Sequence, residues 1–135
     1  MAGVTGPEGA NAADAAETPF DAGERLAWAG RADAFAAGFG RLCAYTVPRL
    51  LDAAGVTEGT RALDAGTGTG TAAAAACARG ARVTAVDAEP DMVRSAATAA
   101  PGAVVRLAAL PHLPFPDGQL SLPHTALLAS GRVAG

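Results

Sequence analysis

The sequence predicts a parallel α/β fold, and three observations predict it. Short apolar strands and alanine-rich helices alternate from Arg61 to Leu107; a glycine-rich turn joins the first strand of that run to its first helix; and an acid, Asp87, stands at the end of the second strand. Parallel strands cannot be joined by tight turns, so each helix is the crossover between the strands that flank it.

Taken in order, residues 1–20 are mostly Ala, Gly, Pro, Thr and acids, and apart from Met1 and Val4 no large apolar residue precedes Phe20. Such a segment buries too little to offset its ordering entropy and is predicted to be a disordered tail. Residues 21–58 are predicted to be helical. Asp21 followed by Glu24 resembles a capping box, and Leu26, Trp28, Phe35, Phe39, Leu42 and Tyr45 recur at roughly helical spacing. Gly30, Gly38 and Gly40 each cost about 1 kcal/mol against alanine inside a helix, which predicts a break near Gly38. Thr46 is placed as the cap of a further short helix with Pro48 in its first turn, an apolar face of Val47, Leu50, Leu51 and Ala54, and Gly55 just beyond its end.

The α/β unit is predicted to span 59–118. Its strands are placed at 61–65, 82–87 and 103–107, and its helices at 69–79, stopped by Gly80, and at 90–99, opened by Pro90 and ended before Pro101. The remaining residues, 119–135, are predicted to be an irregular tail.

The chain of 135 residues has room for one domain. Half of its residues are apolar, but many are alanine and only 4% are aromatic, so the core is lean. A net charge of −3 and a pI of about 5.2 provide no basic stripe for a phosphate backbone, which argues against nucleic acid as a partner. Cys43 and Cys77 form no CxxC and have no histidine beside them, so no metal site or disulfide framework is expected; they read as small buried hydrophobes in a reducing compartment. The N-terminus lacks the basic and apolar regions of a secretory signal. No uncharged run has the bulk and length of a membrane span, that at 65–78 being Gly, Thr, Ala and one Cys. A cytoplasmic protein without a membrane partner is expected.

The informative stretch is Asp64-Ala65-Gly66-Thr67-Gly68-Thr69-Gly70. Glycines between a strand and a helix let the backbone turn sharply and approach a ligand, and the following helix directs its free N–H groups and positive dipole end at that ligand. An ordinary tight turn has the same appearance. Asp87, at the tip of the next strand, can accept two hydrogen bonds from a ribose diol, and it can equally initiate the helix that follows, as can Glu89. Loop and acid together favour a nucleoside site. A kinase-type phosphate loop requires Gly-Lys-Ser/Thr, which is missing here. A dinucleotide loop requires a third glycine three positions after the second, where this chain has Thr71. Asp64 would repel a pyrophosphate but favours an ammonium or sulfonium group.

At these residues the chain resembles the class I S-adenosylmethionine-dependent methyltransferases, particularly their small-molecule branch. Residues 63–70 resemble that family's first motif, residues 83–92 its second, and Leu113-Pro114-Phe115-Pro116-Asp117-Gly118 the turn before its fourth strand. The resemblance implies a Rossmann-like parallel sheet with helices on both faces, of which the chain carries the N-terminal half, and S-adenosyl-L-methionine as cofactor. It places Gly66 and Gly68, with Ala65 and Thr67 between and beside them, under the methionine moiety and Asp64 at its polar end. Asp87 and Ala88 fall at the ribose, Met92 against adenine, and Leu110 where backbone groups meet the adenine edge. The family's acid four positions before Leu113 is replaced by Ala109.

After Gly118 the family continues with an aromatic-Asp pair and an apolar strand, a pattern that dissolves here. The expectation is a truncated or frame-shifted and inactive form, with the first strand left as an exposed edge prone to self-association. The methyl acceptor is read as a small molecule. No catalytic base is assigned: His112 reads as a solvated loop residue or one facing the methyl group, and His124 carries no assignment. Trp28 and Tyr45 read as core or as residues closing over the cofactor. A non-catalytic S-adenosylmethionine or S-adenosylhomocysteine binding module, and an NAD-dependent enzyme, remain the alternatives.

Overall fold

The computed structural model describes residues 18–110 and Leu113. The expectations for the two tails, for His112 and His124, and for the LPFPDG turn beyond Leu113 therefore lie outside the described residues.

The helical N-terminal region begins with α1, Pro19–Trp28. Its capping box is formed by Thr18 and Asp21 rather than by Asp21 and Glu24: the Asp21 N–H donates to Thr18 Oγ1 at 3.1 Å, and the Thr18 N–H donates to Asp21 Oδ2 at 3.2 Å. Pro19 decides between the two boxes, because proline suits the first helical position and lacks the N–H that an interior position would require. Gly30, at φ 69°, turns the chain into α2, Ala32–Ala37. The expected break at Gly38 is present, and α3 follows at Phe39–Ala44. The next helix, α4, runs Val47–Ala53 with Pro48 in its first turn. Thr46 does not cap it; its hydroxyl instead donates back to the Cys43 carbonyl at 2.8 Å, the local competition for backbone groups usual for threonine.

Three strands, β1 (Arg61–Ala65), β2 (Arg82–Asp87) and β3 (Val104–Leu107), form one parallel sheet in the order β1-β2-β3. Arg61 pairs with Arg82 through to Ala65 with Val86, and Thr84 pairs with Val104 through to Asp87 with Leu107. The crossovers are α5 (Thr71–Ala78) and α6 (Pro90–Ala99). α5 opens two residues later than the spacing implied, because Gly70 takes a left-handed conformation and its N–H closes a turn onto the Thr67 carbonyl at 3.0 Å.

Successive crossovers that step in the same direction across a sheet, with the handedness usual for them, lie on one face. The packing agrees: α5 and α6 touch each other, and α5 also packs on α4. One core lies under these helices, with Val47, Leu51 and Val56 meeting Ala73, Ala76, Val83 and Ala85. Alanine at Ala73 and Ala76, both almost fully buried, lets α5 approach the sheet closely. The other face carries Leu63, Ala65 and Val86, with Ala108 and Leu113 against them. Arg79, from the end of α5, ties the layers together: its guanidinium donates to the carbonyls of Val56 at 3.3 Å and Pro48 at 3.1 Å and pairs with Asp52 at 2.7 Å. Among the described residues β1 is an edge strand, and the neighbour implied for it lies outside them.

Candidate functional site

The three strands run parallel, so the segments after β1, β2 and β3 emerge at the same end of the sheet. There the glycine loop, Asp87 and Ala88, and Leu110 are brought to one edge. This is where ligands bind in open α/β sheets.

The loop is held from within. The N–H groups of Gly66 and Thr67 both donate to the Val86 carbonyl at 2.9 Å, and the Gly68 N–H donates to Asp87 Oδ2 at 2.8 Å. With Gly70 bonded to Thr67, four loop amides are committed to the protein and are not available to cradle a phosphate. The donor set does not suit a pyrophosphate, and it is compatible with a ligand recognised by carboxylates.

Two carboxylates stand at the strand ends. Asp87 Oδ1 accepts the Glu89 N–H at 3.0 Å while Oδ2 holds Gly68, so the residue braces two loops; each oxygen retains a lone pair for a further donor. Asp64 is buried, and its Oδ2 accepts the Thr67 hydroxyl at 2.7 Å. Burial pushes the Asp64 carboxyl above its ordinary range. Hydrogen bonds from Thr67 and from the Ala73 backbone at the start of α5 oppose the shift, and the charge of Asp87 adds to it. The positive end of α5 is thus spent in part on Asp64. A cation placed between the two acids would relieve this repulsion.

The three loop glycines face different surroundings. All have positive φ, but a Cβ at Gly66 would meet nothing within 4 Å, one at Gly68 would come 3.8 Å from Phe35 Cε1, and one at Gly70 would lie 2.8 Å from the backbone of Ala96 on α6. Among the described residues, Gly66 alone of the three has no atom near that position. Gly68 has an edge atom of Phe35 as its neighbour. Phe35, on α2, is also packed against Gly40, where a Cβ would come within 3.1 Å of the ring. Trp28 meets it edge-on at 5.6 Å between centroids, and Phe39 lies tilted at 6.0 Å.

Of the other residues singled out, Ala65 and Met92 are buried, Ala88 and Leu110 are exposed, and Thr67 is buried with its hydroxyl on Asp64. Trp28 is partly covered and Tyr45 is 85% exposed, so neither is core. Glu89, buried, caps α6 by accepting the Met92 N–H at 3.0 Å, the role open to either Asp87 or Glu89 in the sequence. Among the described residues no cluster of His, Cys, Asp and Glu could hold a metal ion, and no helix is long and apolar enough to cross a membrane.

A family model described as a methyltransferase domain matches residues 62–129, about half of the chain. The chain belongs to the class I S-adenosylmethionine-dependent methyltransferases. Solved structures agree with this methyltransferase assignment. A TehB-like SAM-dependent methyltransferase from Corynebacterium glutamicum is 25% identical with a TM-score of 0.50, over 58% of this chain and 45% of that one. A chain from the complex between the Haloferax volcanii Trm112 methyltransferase activator and a protein described as a methyltransferase is 28% identical with a TM-score of 0.50, over 62% of this chain and 41% of that one. The methyltransferase chain therefore spans less than half the length of these structures. No curated protein matches it.

Proposed function

We propose that the strand-tip site binds S-adenosylmethionine for methyl transfer to a small-molecule acceptor. The observation that carries this reading is the space over Gly66, open among the described residues, beside the carboxylates Asp64 and Asp87, in a loop of which four amides are already taken. A cationic amino-acid nucleoside satisfies such a site, because its diol and its positive charge both call for carboxylates. The cofactor supplies an activated methyl group on sulfur, whose transfer is an in-line displacement governed by positioning.

The residues of this chain do the holding. Gly66 leaves room for the methionine moiety to approach the backbone, and Ala65 and Thr67 fix the loop on either side. Gly68 is kept in place by the same Asp87 that offers its remaining lone pairs to the ribose, with Ala88 as the adjoining backbone. Asp64 sets the loop through Thr67 and contributes negative charge near the cationic end. Met92 and Leu110 bound the adenine side. Titration calorimetry with S-adenosylhomocysteine tests this. Asp87→Ala should weaken binding by about 1–3 kcal/mol, through loss of charge-assisted acceptors and of the brace on Gly68. Equal affinity for the parent chain and the variant would remove Asp87 from the site. Transfer of radiolabelled methyl from S-adenosylmethionine to a small-molecule extract tests the acceptor class, and transfer only to protein or nucleic acid would overturn it.

A further inference from the structure

The side chain of Thr67 is spent on an acid, and the loop is folded so as to deliver it there. Its N–H donates to the Val86 carbonyl at 2.9 Å, its carbonyl accepts the Gly70 N–H at 3.0 Å, and its hydroxyl donates to Asp64 Oδ2 at 2.7 Å. Both side chains are buried, so water does not replace either partner. The surroundings of Asp64 offer an ionised carboxylate little else. β2 and α5 pack against β1. α5 carries no charged side chain, its thiol Cys77 lies in its last turn, and it contributes the backbone of Ala73. β2 carries Asp87, whose negative charge is felt at Asp64, and Arg82, which stands at the other end of the strand in register with Arg61. A hydrogen bond donated to the charged form favours that form, whereas burial and a like charge disfavour it. The field that carries the charge of Asp87 to Asp64 carries a ligand's charge equally, and a cation at the strand tips acts with the opposite sign.

We propose that Thr67 is a positioning residue of this site: its hydroxyl holds Asp64 as an ionised acceptor, so that a cation at the strand tips and a proton on Asp64 exclude one another. The inference rests on the reading of the site as one that binds a cationic nucleoside. Binding then releases the Asp64 proton to solvent wherever the free protein carries it, and Thr67 sets the pH at which this begins. It accounts for a hydroxyl placed on the more deeply buried of the two acids, the one that solvent does least to keep charged.

The test is calorimetric titration of the full chain with S-adenosylmethionine, whose sulfonium charge does not titrate, from about pH 4 to about pH 7.5. Affinity of the parent should fall as pH falls through the Asp64 titration, with protons released on binding in that range; heats measured in two buffers of different ionisation enthalpy count them. Thr67→Val removes the donor and raises the Asp64 carboxyl further, so its affinity should fall earlier on acidification. At the pH where the parent has lost half its plateau affinity, the variant should bind on the order of fivefold more weakly, the effect of one hydrogen bond to a charged acceptor, and at the upper end of the range the two should agree within about twofold. Thr67→Ser, which keeps the hydroxyl, should restore the parent profile, and Thr67→Ala decides the matter if Thr67→Val does not fold. In an Asp64→Asn background the same change at Thr67 should leave the pH profile in place, which assigns the titration to Asp64 rather than to Asp87. An unchanged profile, or a loss by one factor at every pH, overturns the role of Thr67 and leaves the cofactor site standing. Failure of the parent chain to bind at any pH overturns both.

Discussion

Replacing Gly70 by alanine should destabilise the fold far more than the same change four residues earlier. At Gly70 the backbone sits at φ 85°, and the added Cβ would lie 2.8 Å from Ala96 Cα, 3.0 Å from Ala96 Cβ and 3.2 Å from the Ala96 carbonyl oxygen. These are atoms of α6 itself, and Ala96 is fully buried, so relief requires a shift of the helix rather than rotation of a side chain. Left-handed backbone costs a residue with a Cβ about 1–2 kcal/mol, and overpacking a closed contact about 1–3 kcal/mol more. A total of about 2–5 kcal/mol is a large share of the roughly 5–15 kcal/mol that stabilises a domain. With a urea dependence of about 1–3 kcal/mol per molar, the midpoint should fall on the order of 1–2 M. Gly66→Ala has a comparable φ of 74° but no atom within 4 Å of the new Cβ. Its midpoint should move by less than half as much, while its affinity for S-adenosylhomocysteine should drop, because the methyl group enters the ligand's space. Urea unfolding followed by circular dichroism measures both midpoints. Equal midpoints for parent and Gly70→Ala, or equal losses for the two variants, would refute the division of roles among the loop glycines.

Two other perturbations have calculable outcomes. Asp64 has its carboxyl raised by burial above the ordinary 3.8, so the native state binds this proton more tightly than the unfolded chain. Its contribution to stability is present below the ordinary value and is lost as pH rises through the raised one. Asp64→Asn removes that loss, and the melting temperature of the variant relative to the parent should be more favourable at pH 7 than at pH 4, with weaker binding of S-adenosylmethionine; a gap independent of pH would contradict the burial argument. Arg79→Met should cost about 1–2 kcal/mol in chemical denaturation through its two carbonyl partners, whereas Asp52→Asn, acting on a pair whose carboxylate side chain is 70% exposed, should cost less than about 0.5 kcal/mol, and the reverse ranking would show that the ion pair is the stronger tie.

Local chemistry makes much of this fold legible in the sequence. β1 and β2 fall on the residues expected, and α6 runs from Pro90 to Ala99 as expected, because strand patterning, a proline at a first turn and Pro101 beyond the end act over a few residues. The positions of the loop and of Asp87 at strand ends are legible for the same reason, since strand ends are local features. Other features depend on neighbours that are distant in sequence. Thr67 and Thr69 alternate identically with the glycines, yet nothing in that alternation shows that Gly70 answers to α6, Gly68 to Phe35 and Gly66 to open space. The consumption of the loop amides by Val86 and Asp87 follows from pairing β1 with β2, a contact between residues about twenty positions apart. In the sequence Phe35 is one more apolar residue at helical spacing, and the nearness of its Cε1 to Gly68 is a contact between distant residues that only the fold creates. Residue types and their spacing determined the family to which this chain belongs, while close packing between elements decided which neighbours each loop atom meets.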